Sequence, residues 1–142
     1  MSFSCAHPQR LTRRLSLCLL MGALSLAACS QPSDPKDKVT LDQARADHEA
    51  GKVVLIDIRE PSEHATGVAQ GAKLLPMSQL RQRAMEIPTD PSKPVYLICN
   101  TQNRSGSTLA ALRQTGRYQH VRYVHGGMSE WAKRGWPMVK PQ

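Results

Sequence analysis

The chain has 142 residues, the size of one globular domain, and a formal net charge of +8. Beyond residue 29 its Lys and Arg residues are scattered rather than clustered, and only 4% of all residues are aromatic. This composition argues against a nucleic-acid-binding surface. A moderate positive charge instead suits anionic substrates or anionic lipid head groups.

The first 28 residues predict a cleaved export signal. Residues 1–14 contain three arginines and no acidic residue, and an apolar stretch with interspersed Ser and Gly follows. That stretch is shorter than the roughly 20 residues of a transmembrane helix. The tract at 26–29, LAAC, resembles a bacterial lipobox, which implies cleavage before Cys29 and lipid on that cysteine. A plain secretory signal, or translation from Met21, is the alternative.

Lipidation predicts a location on the periplasmic side of a bacterial membrane. Ser30 follows the lipidated cysteine, and because Asp at this place usually retains Gram-negative lipoproteins in the inner membrane, the outer membrane is favoured. The mature chain would carry 16 basic and 11 acidic residues, a net charge of +5. Cys5 and Cys18 would leave with the signal, so Cys99 would be the only free thiol and a candidate for reactivity.

The predicted elements begin after a polar segment. Residues 29–38 lack large apolar side chains and predict a flexible tether, followed by a folded domain over 39–142. Thr40 and Gln43 have capping-box spacing, and a helix is predicted at 41–50. The continuous apolar run at 53–58 predicts a strand buried on both faces of a parallel sheet.

Strands and helices then alternate. The pattern predicts strands at 72–75, 95–98 and 121–124, with helices capped by Ser78 and reaching Ile87, and at 105–114 and 128–133. This alternation is typical of a single α/β domain with a mainly parallel central sheet flanked by helices on both faces. Ligands of such sheets bind beyond the carboxyl ends of the strands, and Cys99 lies at one of those ends.

The loop after Cys99 predicts a reactive thiol. A sharp turn from strand to helix leaves main-chain N–H groups without partners, and these groups and the helix dipole attract anions. We therefore expect a thiolate at Cys99. Arg104 is placed to hold an oxyanion by charge-assisted hydrogen bonds. The other predicted loop residues are Asn100, Thr101, Gln102, Asn103 and Ser105.

Three motifs resemble signatures of the rhodanese family over residues 39–138. The first is DIREPSE at 57–63 with the glycines that follow, and in it Asp57 and Arg59 would organise the sheet. The second is the strand ending in Cys99, with Arg104, Ser105 and Gly106 after it. The third is VHGGMSEW at 124–131.

The resemblance implies sulfur transfer. The Cys99 thiolate would take sulfane sulfur from a donor such as thiosulfate, hold it as a persulfide and pass it to cyanide or a thiol. This chemistry needs no metal and no cofactor. His64, His120 and His125 are too dispersed to indicate a metal site. Gln102 departs from the family pattern, which has Gly with a positive φ there, so we expect about 1 kcal/mol of strain.

Two other functions remain open. A related branch of the fold hydrolyses phosphate esters with a Cys-x5-Arg loop, whereas only four residues separate Cys99 from Arg104. The second alternative is a periplasmic persulfide carrier or binding module with little turnover of free substrates. A carrier and an enzyme would share every residue named above.

Overall fold

One parallel sheet forms the centre of the domain in the computed structural model, which describes residues 34–141. The strands are β1 (Lys38–Val39), β2 (Val54–Asp57), β3 (Lys73–Leu74), β4 (Val95–Ile98) and β5 (Val121–Val124). Their spatial order is β1-β5-β4-β2-β3, and each neighbouring pair runs parallel. This topology confirms the predicted α/β class.

Within residues 34–141, five α-helices connect or follow the strands. They are α1 (Leu41–Glu49), α2 (Pro61–His64), α3 (Leu80–Arg83), α4 (Asn103–Gln114) and α5 (Gly127–Lys133). Helix α1 starts where the sequence predicts, because the Thr40 hydroxyl accepts a hydrogen bond from the Gln43 amide at 3.2 Å. No helix within 34–141 has the length and apolar character needed to cross a bilayer.

Apolar side chains pack on both faces of the sheet. On one face, Ile56 and Leu97 pack with Leu109 of α4. On the other, Ile98 packs with residues of α1 and α5. All four residues of β4 are buried, which explains why its sequence is continuously apolar rather than alternating. The predicted helices on both faces are therefore confirmed.

The segment before α1 is more ordered than predicted. Residues 35–37 form a 3₁₀ turn and Lys38 begins β1. Arg122 donates hydrogen bonds to the carbonyls of Lys36 and Lys38 at 2.9 and 2.8 Å, and Asp37 pairs with Arg113. These contacts hold the segment on the domain, so the predicted tether does not extend to residue 38. The predicted signal peptide and Cys29 lie outside the described residues.

The helix predicted from Ser78 is broken into shorter turns. A 3₁₀ turn at Met77–Gln79 precedes α3, and another at Ala84–Glu86 follows it. Ser78 is not an N-cap because its amide and hydroxyl both donate to the Glu60 carboxylate, at 3.0 and 2.7 Å. The serine therefore ties this segment to the start of α2.

Candidate active site

Cys99 follows β4 directly and lies below the start of α4. Its side chain is buried, with 1% of the residue exposed, and it belongs to the apolar cluster on the α4 face. The Ser105 amide donates to Sγ at 3.4 Å, and the Ser105 hydroxyl lies at the same distance. The thiol is therefore in contact with the N-terminal turn of a helix rather than with apolar groups alone.

The main chain between Cys99 and Ser105 leaves several donors free. Helix α4 begins at Asn103, two residues earlier than predicted, with Gln102 as its N-cap. The amides of residues 100–104 donate no hydrogen bond to any group within 34–141. Unpaired amides at the positive end of a helix dipole stabilise an anion next to them. Free main-chain donors thus lie in the same loop as Cys99, and the Ser105 amide contacts Sγ itself.

The start of α5 holds the loop from the other side. The amides of Met128 and Ser129 donate to the carbonyls of Cys99 and Asn100, at 2.8 and 2.9 Å. Gly127 has a φ of +64°, and a Cβ there would lie 2.4 Å from the Thr101 carbonyl oxygen. Only glycine allows this approach of the two backbones. This role of Gly127 was not predicted, although two consecutive glycines before a helix are a visible signal in the sequence.

Gln102 is not strained, contrary to the sequence-based expectation. Its φ is −160°, which is extended backbone that any residue adopts, and no residue other than glycine between 34 and 141 has a positive φ. The side chain instead accepts a hydrogen bond from the Gly126 amide at 3.3 Å. Gln102 therefore adds a further contact between the loop and the start of α5.

Arg104 forms an ion pair with Glu63 of α2. Its two terminal nitrogens donate to the two carboxylate oxygens, both at 2.6 Å, and each side chain is about one-third exposed. The hydrogen bonds from Arg104 lower the pKa of Glu63 to about 2, against the opposing effect of burial. The pairing of Glu63 with Arg104 was not predicted from the sequence, because the two residues are 41 positions apart.

Asp57 and Arg59 form a buried pair next to α2. The Asp57 carboxylate accepts bonds from the Arg59 side chain at 2.7 to 3.1 Å, and both residues are almost fully buried. Arg59 also donates to the carbonyls of Gly67 and Glu63, at 2.7 and 3.3 Å. His64 is buried 3.5 Å from Asp57. Arg59 thus attaches α2, and with it the Glu63 carboxylate, to the end of β2.

The predicted loop residues lie next to one another beyond the carboxyl end of β4, the middle strand of the sheet. Asn100, Thr101 and Asn103 are exposed, and Ser105 is buried against Cys99. Asp57 and Arg59 lie between β2 and α2, outside this loop, and Arg59 is connected to it through Glu63, which pairs with Arg104. The arrangement combines a thiol, free main-chain donors and one guanidinium.

A family comparison agrees with this geometry. Residues 40–134 match the family model described as a rhodanese-like domain. The chain belongs to the rhodanese-like domain family. A rhodanese-related protein of Thermoplasma volcanium superposes on this rhodanese-like domain with a TM-score of 0.64 at 26% identity, covering 73% of this chain and 98% of that one.

Sequence relatives point to the same family. A protein of Allochromatium vinosum named sulfurtransferase is 40% identical over 106 residues, which cover 75% of this chain and 94% of that protein. The uncharacterized protein YqhL of Bacillus subtilis is 45% identical over 80 residues, covering 56% of this chain. The match spans 61% of the length of YqhL. Family and relatives together support a sulfurtransferase-type function for this rhodanese-like chain.

Proposed function

We propose that the protein is a rhodanese-type sulfurtransferase that carries sulfane sulfur as a persulfide on Cys99. The observation that supports this most is the position of Sγ, 3.4 Å from the Ser105 amide and at the N-terminus of α4. A main-chain donor in contact with Sγ can stabilise the negative charge that sulfur carries during the reaction.

The proposed reaction has two nucleophilic steps. In the first, the Cys99 thiolate attacks the outer sulfur of a donor such as thiosulfate, the donor's S–S bond breaks, and sulfite leaves with the electron pair. In the second, cyanide or a thiol attacks the terminal sulfur, and the Cys99 thiolate is released. Both steps balance without a metal or a redox cofactor.

A persulfide carrier for a protein partner is the second candidate. Only 1% of Cys99 is exposed, so the groups around Sγ must shift before a donor reaches it. Such burial also suits a persulfide that is protected until a partner opens the loop. A carrier would use the same thiol and the same main-chain donors, but would turn over free substrates slowly.

Steady-state kinetics separate these candidates. With thiosulfate and cyanide, an enzyme should release thiocyanate over many turnovers and give the parallel double-reciprocal lines of a ping-pong mechanism. A carrier should load with sulfur and release little thiocyanate until its partner is added. If neither loading nor turnover occurs, both candidates are wrong.

For Arg104→Ala we expect weaker donor binding with the fold retained. The KM for thiosulfate should rise about tenfold, because a charge-assisted contact is lost and the Glu63 carboxylate is left without its partner. The melting temperature should change little, since a pair that is one-third exposed contributes about 1 kcal/mol or less. Donor-saturation kinetics and a thermal melt measure both effects.

Arg83→Ala is a matched control for Arg104→Ala. Arg83 pairs with both carboxylate oxygens of Glu86 and has a similar exposure, but does not contact the Cys99 loop. Its loss should leave the KM for thiosulfate unchanged. An unchanged KM in Arg104→Ala, or unfolding of that variant, would contradict the role given to Arg104.

We further propose that the protein is an exported lipoprotein attached through Cys29 to the periplasmic side of a bacterial membrane, with the outer membrane favoured. This proposal depends on the sequence of residues 1–30 alone. Cys29→Ser should move the protein from the membrane fraction to the soluble fraction without altering sulfur transfer. A processed Cys29→Ser protein that still sediments with membranes would contradict lipid attachment.

A further inference from the structure

The Glu63–Arg104 pair places a carboxylate beside the proposed anion site. Arg104 is the only basic side chain in the loop from Cys99 to Ser105. Its two terminal nitrogens both donate hydrogen bonds to the Glu63 carboxylate, at 2.6 Å. Glu63 is itself fixed, because its carboxylate also accepts a bond from the Glu60 amide at 3.0 Å. An incoming anion therefore meets a guanidinium whose charge is already paired.

The charges around the loop add to this effect. The pKa of Arg104 is raised, chiefly by its hydrogen bonds to Glu63 and then by the charges of Glu63, Cys99 and Glu60. The Glu60 carboxylate, which accepts two hydrogen bonds from Ser78, is thus a second negative charge that acts on this guanidinium. Two carboxylates therefore act on one guanidinium, so a second negative charge on a donor is poorly compensated.

We propose that Glu63 is a specificity-determining residue that disfavours dianionic sulfur donors and favours organic donors with at most one negative charge. This inference rests on the proposed sulfurtransferase function and names the donor class for the same site. Glu63 acts through Arg104 as a positioning residue and takes no part in bond breaking. A dianion such as thiosulfate must share or displace Arg104 while it is repelled by Glu63, and the repulsion grows with the charge of the donor.

Two donors that differ in charge test the proposal. Thiosulfate is a dianion, whereas benzenethiosulfonate is a monoanion whose outer sulfur undergoes the same attack and whose leaving group is benzenesulfinate. In Glu63→Gln the KM for thiosulfate should fall about fivefold while kcat stays within twofold. The KM for benzenethiosulfonate should change by less than twofold. Cyanide serves as the acceptor in both assays.

The substitution is conservative for the fold. Glutamine in the third position of a helix retains the capping-box bond to the Glu60 amide, so Glu63→Gln should melt close to the wild type. Glu86→Gln is the matched control, since Glu86 also pairs with an arginine and has a similar exposure. This control should change the KM of neither donor.

Binding without turnover provides a second measurement. In a Cys99→Ser background, the Kd for thiosulfate by calorimetry should fall about fivefold when Glu63→Gln is added. An unchanged Kd, or an equal KM shift for both donors, would overturn the inference while the proposed function stands. If mass spectrometry finds no sulfur on wild-type Cys99 with either donor, the proposed function fails and the inference fails with it.

Discussion

Replacing Cys99 by serine is expected to reduce sulfur transfer at least about a thousandfold while leaving the fold intact. A hydroxyl at this position stays protonated at neutral pH and cannot hold sulfane sulfur as a persulfide. The serine oxygen can still accept the hydrogen bond of the Ser105 amide, so the free energy of unfolding should change by about 1 kcal/mol or less. Thiocyanate release and chemical denaturation measure the two effects.

Ser107→Ala is a control from the same helix. The Ser107 side chain is exposed and its hydroxyl donates to the Asn103 carbonyl at 3.0 Å, away from the thiol. Sulfur transfer by this variant should equal that of the wild type. A Cys99→Ser protein that keeps more than a tenth of the wild-type rate would show that another group carries the sulfur.

Gly127→Ala should produce the largest loss of stability among these variants. The added methyl group would lie 2.4 Å from the Thr101 carbonyl oxygen and 2.5 Å from that of Cys99, and both atoms are backbone that cannot rotate away. The positive φ of Gly127 adds strain for any L-residue. We expect a destabilisation of about 3 kcal/mol or more, and a displaced loop with reduced sulfur transfer.

Gly135→Ala separates the effect of contact from that of backbone conformation. Gly135 has a nearly identical φ of +67°, but beyond its own chain neighbours no atom lies within 4 Å of where a Cβ would be. Only the conformational cost of about 1 kcal/mol should remain, with normal sulfur transfer. Equal stability of the two alanine variants would contradict the close packing of α5 on the Cys99 loop.

The sheet and most helices can be predicted from local sequence patterns. Buried parallel strands such as β2 and β4 require apolar side chains on both faces, so β4 is continuously apolar and β2 is apolar up to its last residue, Asp57. Helix α1 has a capping threonine at the expected distance from its first turn. The position of Cys99 at a strand end follows from these elements alone.

Contacts between distant segments are not visible in such patterns. The pairing of Glu63 with Arg104, and the approach of Gly127 to the Cys99 loop, depend on how α2 and α5 dock on the sheet. The start of α4 was placed two residues late because its N-cap, Gln102, uses its side chain to bind Gly126 rather than to cap the helix. The expected strain at Gln102 was also wrong. The loop follows a backbone path in which Gln102 has a φ of −160° rather than a positive φ.

The most direct test of the account is the mass of the Cys99 peptide after the purified protein is incubated with thiosulfate. We expect a gain of one sulfur atom on that peptide, reversed by cyanide with release of thiocyanate. A peptide of unchanged mass after incubation with both thiosulfate and benzenethiosulfonate, in a protein shown to be folded, would contradict a persulfide at Cys99.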